Sequence, residues 1–411
     1  MMKSPRGIRL HIGIFGRRNA GKSSILNALT RQDVSIVSDR AGTTTDPVEK
    51  PMELLPLGPV LFIDTAGIDD AGDLGEKRIE RTLRVLERTD LGLIVCPAGA
   101  WGEFESSILA ALEKRDVPVI AVFNKIDLAL PECSVLSDLE ARGVAWVRTA
   151  ATGNRGIIDL INAIVGAAPP EFLNMASIAG DLVPAGRFAV LVVPIDKEAP
   201  KGRLILPQAQ TIRDLLDHDA CCVVVQESRL KQAIEELRTE PALVITDSQA
   251  FASVARDTPD HVPLTSFSIL FARFKGDLDE FVSGALAIRT LKPGDRVLVA
   301  EACAHHPIAD DIGRVKIPNW IQRYVDADLE FTHVQGHDFP GTCEELGGYG
   351  LVVHCGSCTL NRKEVLSRIM RCRAAGVPIT NYGVAIAFCL GILGRALGPF
   401  PSAAALARHA R

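Results

Sequence analysis

Gly16-Arg17-Arg18-Asn19-Ala20-Gly21-Lys22-Ser23 lies between an apolar run at 8–15 and a helical pattern at 22–29. A glycine-rich turn that closes one strand and opens one helix is a phosphate cradle. Gly16 and Gly21 let the backbone curl, so that its N–H groups face an anion, and the helix N-terminus adds partial positive charge. Lys22 is placed to neutralise β- and γ-phosphates, the Ser23 hydroxyl to ligate Mg²⁺, and Ser24 follows in the first helical turn. Outward from this loop, residues 60–63, 91–96, 117–123 and 144–148 are short apolar runs rich in β-branched residues. Helical patterns such as 75–89 separate them. Dense apolar strands alternating with helices predict an α/β fold, a doubly wound parallel sheet covered on both faces.

Three later motifs define the nucleotide. Asp64-Thr65-Ala66-Gly67 follows a strand, with the aspartate in reach of Mg²⁺ and the Gly67 N–H in reach of the γ-phosphate. Asn124-Lys125-Ile126-Asp127 ends another strand. A carboxylate at Asp127 accepts from both N1–H and the exocyclic amine of guanine, a donor pair that adenine lacks, so GTP and GDP are expected over ATP. The alternative for Asp127 alone is a helix N-cap. Thr149-Ala150-Ala151 resembles the loop that backs the guanine, and the whole set resembles that of the G proteins. Asp39-Arg-Ala-Gly42-Thr43-Thr44-Thr45-Asp46 is similar to the first switch of the Era and MnmE (TrmE) GTPases, with Thr44, then Thr43, as the Mg²⁺ ligand this implies. Ile68 stands where Ras-type enzymes carry a water-orienting glutamine, which predicts slow intrinsic hydrolysis. The MnmE branch compensates with K⁺ held partly by a phosphate-loop asparagine. Asn19 matches that asparagine, so the resemblance implies potassium-stimulated turnover.

At 411 residues the chain exceeds one ordinary core, so two or three domains are expected. A G domain at 1–170 ends in Ala167-Ala168-Pro169-Pro170. A second βα series fills 180–262 without a catalytic cluster, and association, as a dimerisation domain, is the role expected of it. A third block, 265–411, is expected to carry a helix at 275–291 and strands at 296–300 and 350–353. The fold class is thus a P-loop G domain followed by two smaller α/β domains. A formal net charge of −5 argues against a dedicated nucleic-acid surface. The apolar stretch 384–397 is too short to span a bilayer and reads as a buried helix. Ten cysteines without an export signal imply a reducing cytoplasmic setting with free or metal-bound thiols.

Chelating chemistry gathers in the third block. Cys303-Ala304-His305 follows one strand, and His354-Cys355-Gly356-Ser357-Cys358 follows another. Loops past the carboxyl ends of parallel strands are where open α/β sheets hold ligands, so neighbouring strands would bring the three sulfurs together. Two thiolates at Cys-x-x-Cys spacing chelate one ion or one cluster edge. Three cysteines and a histidine suit tetrahedral zinc, and equally a 4Fe-4S cluster with three thiolate-held irons; the spacing does not choose. His305, His306 and His354 are candidate ligands or donors to ligands.

Cys303-Ala-His305-His306-Pro307, Asp310-Asp311-Ile-Gly-Arg314, His354-Cys355-Gly-Ser-Cys358 and Asn381-Tyr-Gly-Val384 together resemble the HydF family of FeFe-hydrogenase maturation GTPases. That resemblance spans essentially the whole chain and selects the 4Fe-4S cluster. It implies Cys303, Cys355 and Cys358 as cluster ligands, with His305, His354 or another group holding the fourth iron labilely, and a homodimeric scaffold for a di-iron precursor. It implies receipt of that unit from the radical-SAM maturases HydE and HydG and delivery to apo-hydrogenase HydA. The rival reading is an RNA-modification or ribosome-assembly GTPase of the MnmE or Era type with structural zinc.

Overall fold

A computed structural model describes residues 9–31, 48–54, 57–65, 85–169, 177–195, 204–302, 311–336 and 338–409. The chain forms two compact units, Met1–Met175 and Ala176–Arg411.

In the first unit the phosphate loop separates β1 (Leu10–Phe15) from α1 (Lys22–Arg31). There follow β2 (Val48–Leu54), β3 (Gly58–Asp64), β4 (Leu91–Pro97), α2 (Glu103–Glu113) and β5 (Val119–Asn124). The unit closes with α3 (Cys133–Ala141), β6 (Ala145–Arg148) and α4 (Ile157–Ala167). The sheet order is β2-β3-β1-β4-β5-β6. Successive side chains of β1 feed opposite faces, as a two-residue period requires. Ile12 and Ile14 join Ile25, Leu29, Leu160 and Ile164 on one side, while Phe15 joins Leu109, Leu112 and Leu139 on the other. β2 departs from the expected all-parallel sheet, running antiparallel to β3 from Val48 opposite Asp64 to Leu54 opposite Gly58. Glu49, Lys50, Pro51 and Glu53 hide it from a hydrophobicity scan, and an edge strand tolerates that proline.

The second unit contains two four-stranded sheets, both parallel throughout. β7 (Phe188–Val192), α5 (Leu206–Asp217), β8 (Cys221–Val225), α6 (Leu230–Glu236), β9 (Leu243–Thr246), α7 (Phe251–Asp257) and β10 (Leu264–Ser266) build the first, in the order β10-β9-β7-β8. The helix expected at 275–291 is α9 (Leu278–Leu286), which starts where the Asp277 carboxylate accepts from the Glu280 N–H at 3.1 Å; an unexpected helix, α8 (Phe267–Lys275), precedes it and stops at Gly276. A 3₁₀ turn, Ala287–Thr290, takes up the remainder.

β11 (Arg296–Glu301), α10 (Ile317–Val325), β12 (Glu330–Gln335), α11 (Cys343–Leu346), β13 (Leu351–His354), α12 (Arg362–Ala374) and β14 (Ile379–Asn381) form the other sheet, ordered β12-β11-β13-β14. The apolar stretch near the end folds as α13 (Tyr382–Cys389) and α14 (Leu393–Ala396), separated by a turn with Gly391 at φ 72°, before α15 (Pro401–His409). One hydrophobic core, reaching from Ile178 to Ala407, underlies both sheets. Among the described residues no helix is long and apolar enough to cross a membrane.

Strand order reverses between β1 and β4 in the first sheet and between β11 and β13 in the third. Such switch points open a crevice at the carboxyl ends of the strands. The phosphate loop leaves β1, and the cysteine motifs leave β11 and β13.

Candidate nucleotide and metal sites

The phosphate loop is shaped by contacts that admit only small residues. Gly16 has φ 150° and Gly21 φ 98°, and a Cβ on either would collide, with Val95 O and with the Asn124 amide respectively. Asn19, at φ 60°, also takes the left-handed conformation. Lys22 is buried and lies back along the loop, its Nζ donating to Gly16 O at 2.6 Å and Arg17 O at 2.9 Å. Asn124 ties phosphate loop to base loop: its Nδ2 donates to Ala20 O at 3.1 Å, and its Oδ1 accepts from Thr149 Oγ1 and Ala151 N, each at 3.2 Å. Lys125 Nζ reaches Asn19 O at 2.8 Å. Thr149 and Ala150 are buried beneath the base loop, whereas Asp127 is exposed beyond it, and Ser24 is exposed on α1.

Two of the candidate Mg²⁺ donors meet. Ser23 Oγ lies 3.0 Å from Asp64 Oδ2, and Asp64 Oδ1 is buried without any hydrogen-bond partner. Burial raises the Asp64 carboxyl above its usual range, against the lowering pull of Ser23 and Lys22. An orphaned carboxylate oxygen beside a serine hydroxyl fits a hard cation that takes oxygen ligands. Thr43, Thr44, Gly67 and Ile68 lie outside the described residues. A pair absent from the motif reading stiffens the loop from the α2 side. Arg17 Nη2 contacts Glu105 Oε2 at 2.8 Å, and that carboxylate, completely buried, also accepts from the Gly102 N–H at 3.0 Å.

In the second unit β11 and β13 pair directly, Ala300 opposite His354. Cys355 N donates to Ala300 O at 2.9 Å, which swings its sulfur toward the end of β11. There Cys355 Sγ accepts from Ala302 N at 3.1 Å and Ser357 N at 3.5 Å, the donors a thiolate needs. Burial pushes the Cys355 thiol up to about 11, with Cys358 adding to the rise, so a bound cation is what would keep it ionised. Ser357 takes φ 55°, turning the loop so that Cys358 returns beside Cys355. Lys275 Nζ supports the loop from α8, donating to Ser357 O at 2.8 Å, Leu360 O at 2.7 Å and Cys358 O at 3.2 Å. The donor set therefore fits a thiolate-bound metal group. Cys303, His305 and His306 lie outside the described residues, and among the described ones no three side chains form a metal cluster by themselves.

His354 is completely buried, with Nε2 2.9 Å from Arg368 Nη1 and Nδ1 3.0 Å from Cys355 O and 3.1 Å from Ser357 Oγ. Arginine only donates, so Nε2 accepts and the proton sits on Nδ1. Burial first, then the Arg368 charge, lowers its pKa to about 3. Both nitrogens thus brace the loop from inside, and ligation by Nε2 would require breaking the Arg368 bond.

Profiles of known families match the chain in three stretches. Residues 178–276 match the hydrogen maturase F dimerization domain and residues 279–399 its tetramerization domain, together more than half of the chain. The chain belongs to the hydrogen maturase F family. Residues 11–125 match a profile described as 50S ribosome-binding GTPase, in keeping with the P-loop fold of the first unit. The tRNA modification GTPase MnmE of Picosynechococcus sp. is 38% identical over 175 residues, 40% of this chain and 37% of that protein. MnmE of Chromobacterium violaceum is 40% identical over 157 residues, 38% of this chain and 33% of that protein. GTPase Der of Wolinella succinogenes is 42% identical over 130 residues, 31% of this chain and 27% of that protein. The chain spans about a third of the length of these relatives.

For this hydrogen maturase F family member, motif reading located the loop cysteines and the P-loop but missed Lys275, Arg368 and Glu105. Lys275 ends a helix, where a basic residue ordinarily reads as helix-dipole pairing, and nothing local marks it as a partner of residues 357–360.

Proposed function

We propose that this chain is a GTPase that carries a 4Fe-4S cluster and a di-iron precursor for FeFe-hydrogenase maturation. The observation that carries this reading is the meeting, at one switch point, of the Cys355-x-x-Cys358 loop with the strand end that precedes Cys303, in a family member with a P-loop domain. Cys303, Cys355 and Cys358 are the cluster ligands, and the fourth iron is left to an exchangeable group, with His305 nearest in sequence and His354 only if it leaves Arg368. Bound there, the cluster supplies an open iron coordination site at which cargo is held and released. Residues 1–170 bind and hydrolyse GTP, 180–262 dimerise, and 265–411 hold the cluster; the matched domain descriptions support self-association.

Gly16, Gly21, Lys22 and Ser24 hold the phosphates, and Ser23, Thr44 and Asp64 hold Mg²⁺. Gly67 meets the γ-phosphate, and Asn124, Lys125, Asp127, Thr149 and Ala150 enclose the guanine. Asn19 is the K⁺ ligand, so GTP turnover is faster in potassium than in sodium buffer; equal rates would remove that role. The partners are HydE and HydG as donors and HydA as acceptor, in the cytoplasm. The relatives' tRNA modification is not carried over, because their similarity covers about 40% of this chain or less. The test is activation of apo-hydrogenase by purified, iron-reconstituted protein. Cys303→Ser or Cys355→Ser should abolish activation while leaving GTP hydrolysis intact, and undiminished activation would overturn the carrier role.

A further inference from the structure

The Cys355–Cys358 loop is tied down by a cation that no carboxylate among the described residues neutralises. Lys275 is only 1% exposed, and its three ammonium protons face three neutral oxygens, those of Ser357, Cys358 and Leu360. Among the described residues no acidic side chain pairs with it. Removing an ammonium from water costs several kcal/mol, and carbonyl dipoles alone rarely offset that. Burial holds the Lys275 ammonium down, to about 8, and the sulfurs of Cys358 and Cys355, when ionised, oppose that drop.

The helix that delivers Lys275 is fastened at both ends. Ser266 Oγ at the end of β10 accepts from Ile269 N at 3.2 Å, and Ser268 Oγ accepts from Gly383 N at 3.1 Å. At its far end Arg362 Nη1 donates to Phe274 O at 3.0 Å and Gly276 O at 3.3 Å. Lys275 falls within the segment matching the dimerization domain, and the loop it grips falls within the segment matching the tetramerization domain.

We propose that Lys275 is a positioning residue for the metal centre, holding the Cys355–Cys358 loop in ligating shape and supplying a fixed positive charge beside its thiolates. α8 is then a strut by which the β7–β10 sheet sets the geometry of the cysteine loop. A fixed cation favours the more negatively charged, reduced form of whatever the thiolates hold. This inference rests on the reading of Cys355 and Cys358 as ligands, and its test separates the two.

The test uses the full chain, anaerobically, with Lys275→Met, Lys275→Gln and, as a control that keeps Lys275 but loosens the far end of α8, Arg362→Ala. In metal-free protein, iodoacetamide should alkylate Cys355 at least about tenfold faster in the Lys275 variants, with exposed Cys133 unchanged. After reconstitution with iron and sulfide, a potential titration followed by EPR should show the Lys275 variants harder to reduce. About tenfold in the reduced-to-oxidised ratio, or about 59 mV for one electron, is the expected size, and Arg362→Ala should show no such shift. Unchanged alkylation and potential would overturn the proposal. Faster alkylation with an unchanged potential would overturn the charge role and leave a structural tie. Failure of both Lys275 variants to fold, with Arg362→Ala folded, would assign the lysine to folding and overturn the positioning role. A wild-type chain that takes up no iron would refute the carrier reading, while the alkylation rates would still decide whether Lys275 shapes the loop.

Discussion

Asp127, proposed to bind the guanine, is an exposed carboxylate past the end of β5 and outside the core. Asp127→Ala should lower GTP affinity by about 10- to 100-fold, as expected for a hydrogen-bonded charged acceptor worth about 1.5–3 kcal/mol, with weak ATP binding unchanged; titration calorimetry would show it. Equal losses for both nucleotides would refute the guanine assignment. The cysteines divide by environment in the same way. Burial pushes the Cys96 and Cys372 thiols up to about 12, so at pH 8 almost none of either is thiolate. Iodoacetamide should spare both in the folded chain and label exposed Cys133 and Cys343, which mass spectrometry would map; early labelling of Cys372 would contradict its place in the core. The candidate role of Asp127 was readable from its motif, whereas the burial of Cys96 and Cys372 was not, because it depends on which elements pack around them. Nor was the network of His354, since Arg368 approaches it from another element.

Among the elements, α9 shows how close packing depends on one missing atom. Gly284 faces the backbone of β14, and a Cβ there would collide with Ile379 O. Gly284→Ala should therefore destabilise the second unit by about 1–3 kcal/mol, the usual cost of overpacking, seen as a lower denaturant midpoint for that unit; an unchanged midpoint would show that α9 can move away without cost. Strand and helix existence was largely readable where periodicity was strong, as in β1, β4 and β5. It failed for β2, whose edge position permits Lys50 and Pro51, and for β12, where Glu330-Phe331-Thr332-His333 carries too little apolar signal. α8 was also missed, because consecutive buried residues Ile269, Leu270, Phe271 and Ala272 give it no one-faced helical period.

At the scale of the whole molecule, two compact units with separate cores predict separable unfolding. Adding Mg²⁺ and GDP at a hundredfold excess over Kd should stabilise the first unit by about 2.7 kcal/mol, raising one calorimetric transition and leaving the other in place. A nucleotide that raised both transitions equally would contradict this. The sequence by itself determined the G-protein motif set and the α/β class and singled out candidate soft-metal donors, because short strand-to-loop motifs and the alternation of strands with helices are local patterns. Only the tertiary structure decided which groups surround those donors. The Ala302 N–H reaches Cys355 because β11 and β13 are neighbours, and Lys275 reaches Ser357 across 82 positions because α8 packs against that loop. Contacts of that kind follow from how whole elements pack, and no local pattern of residue types announces them.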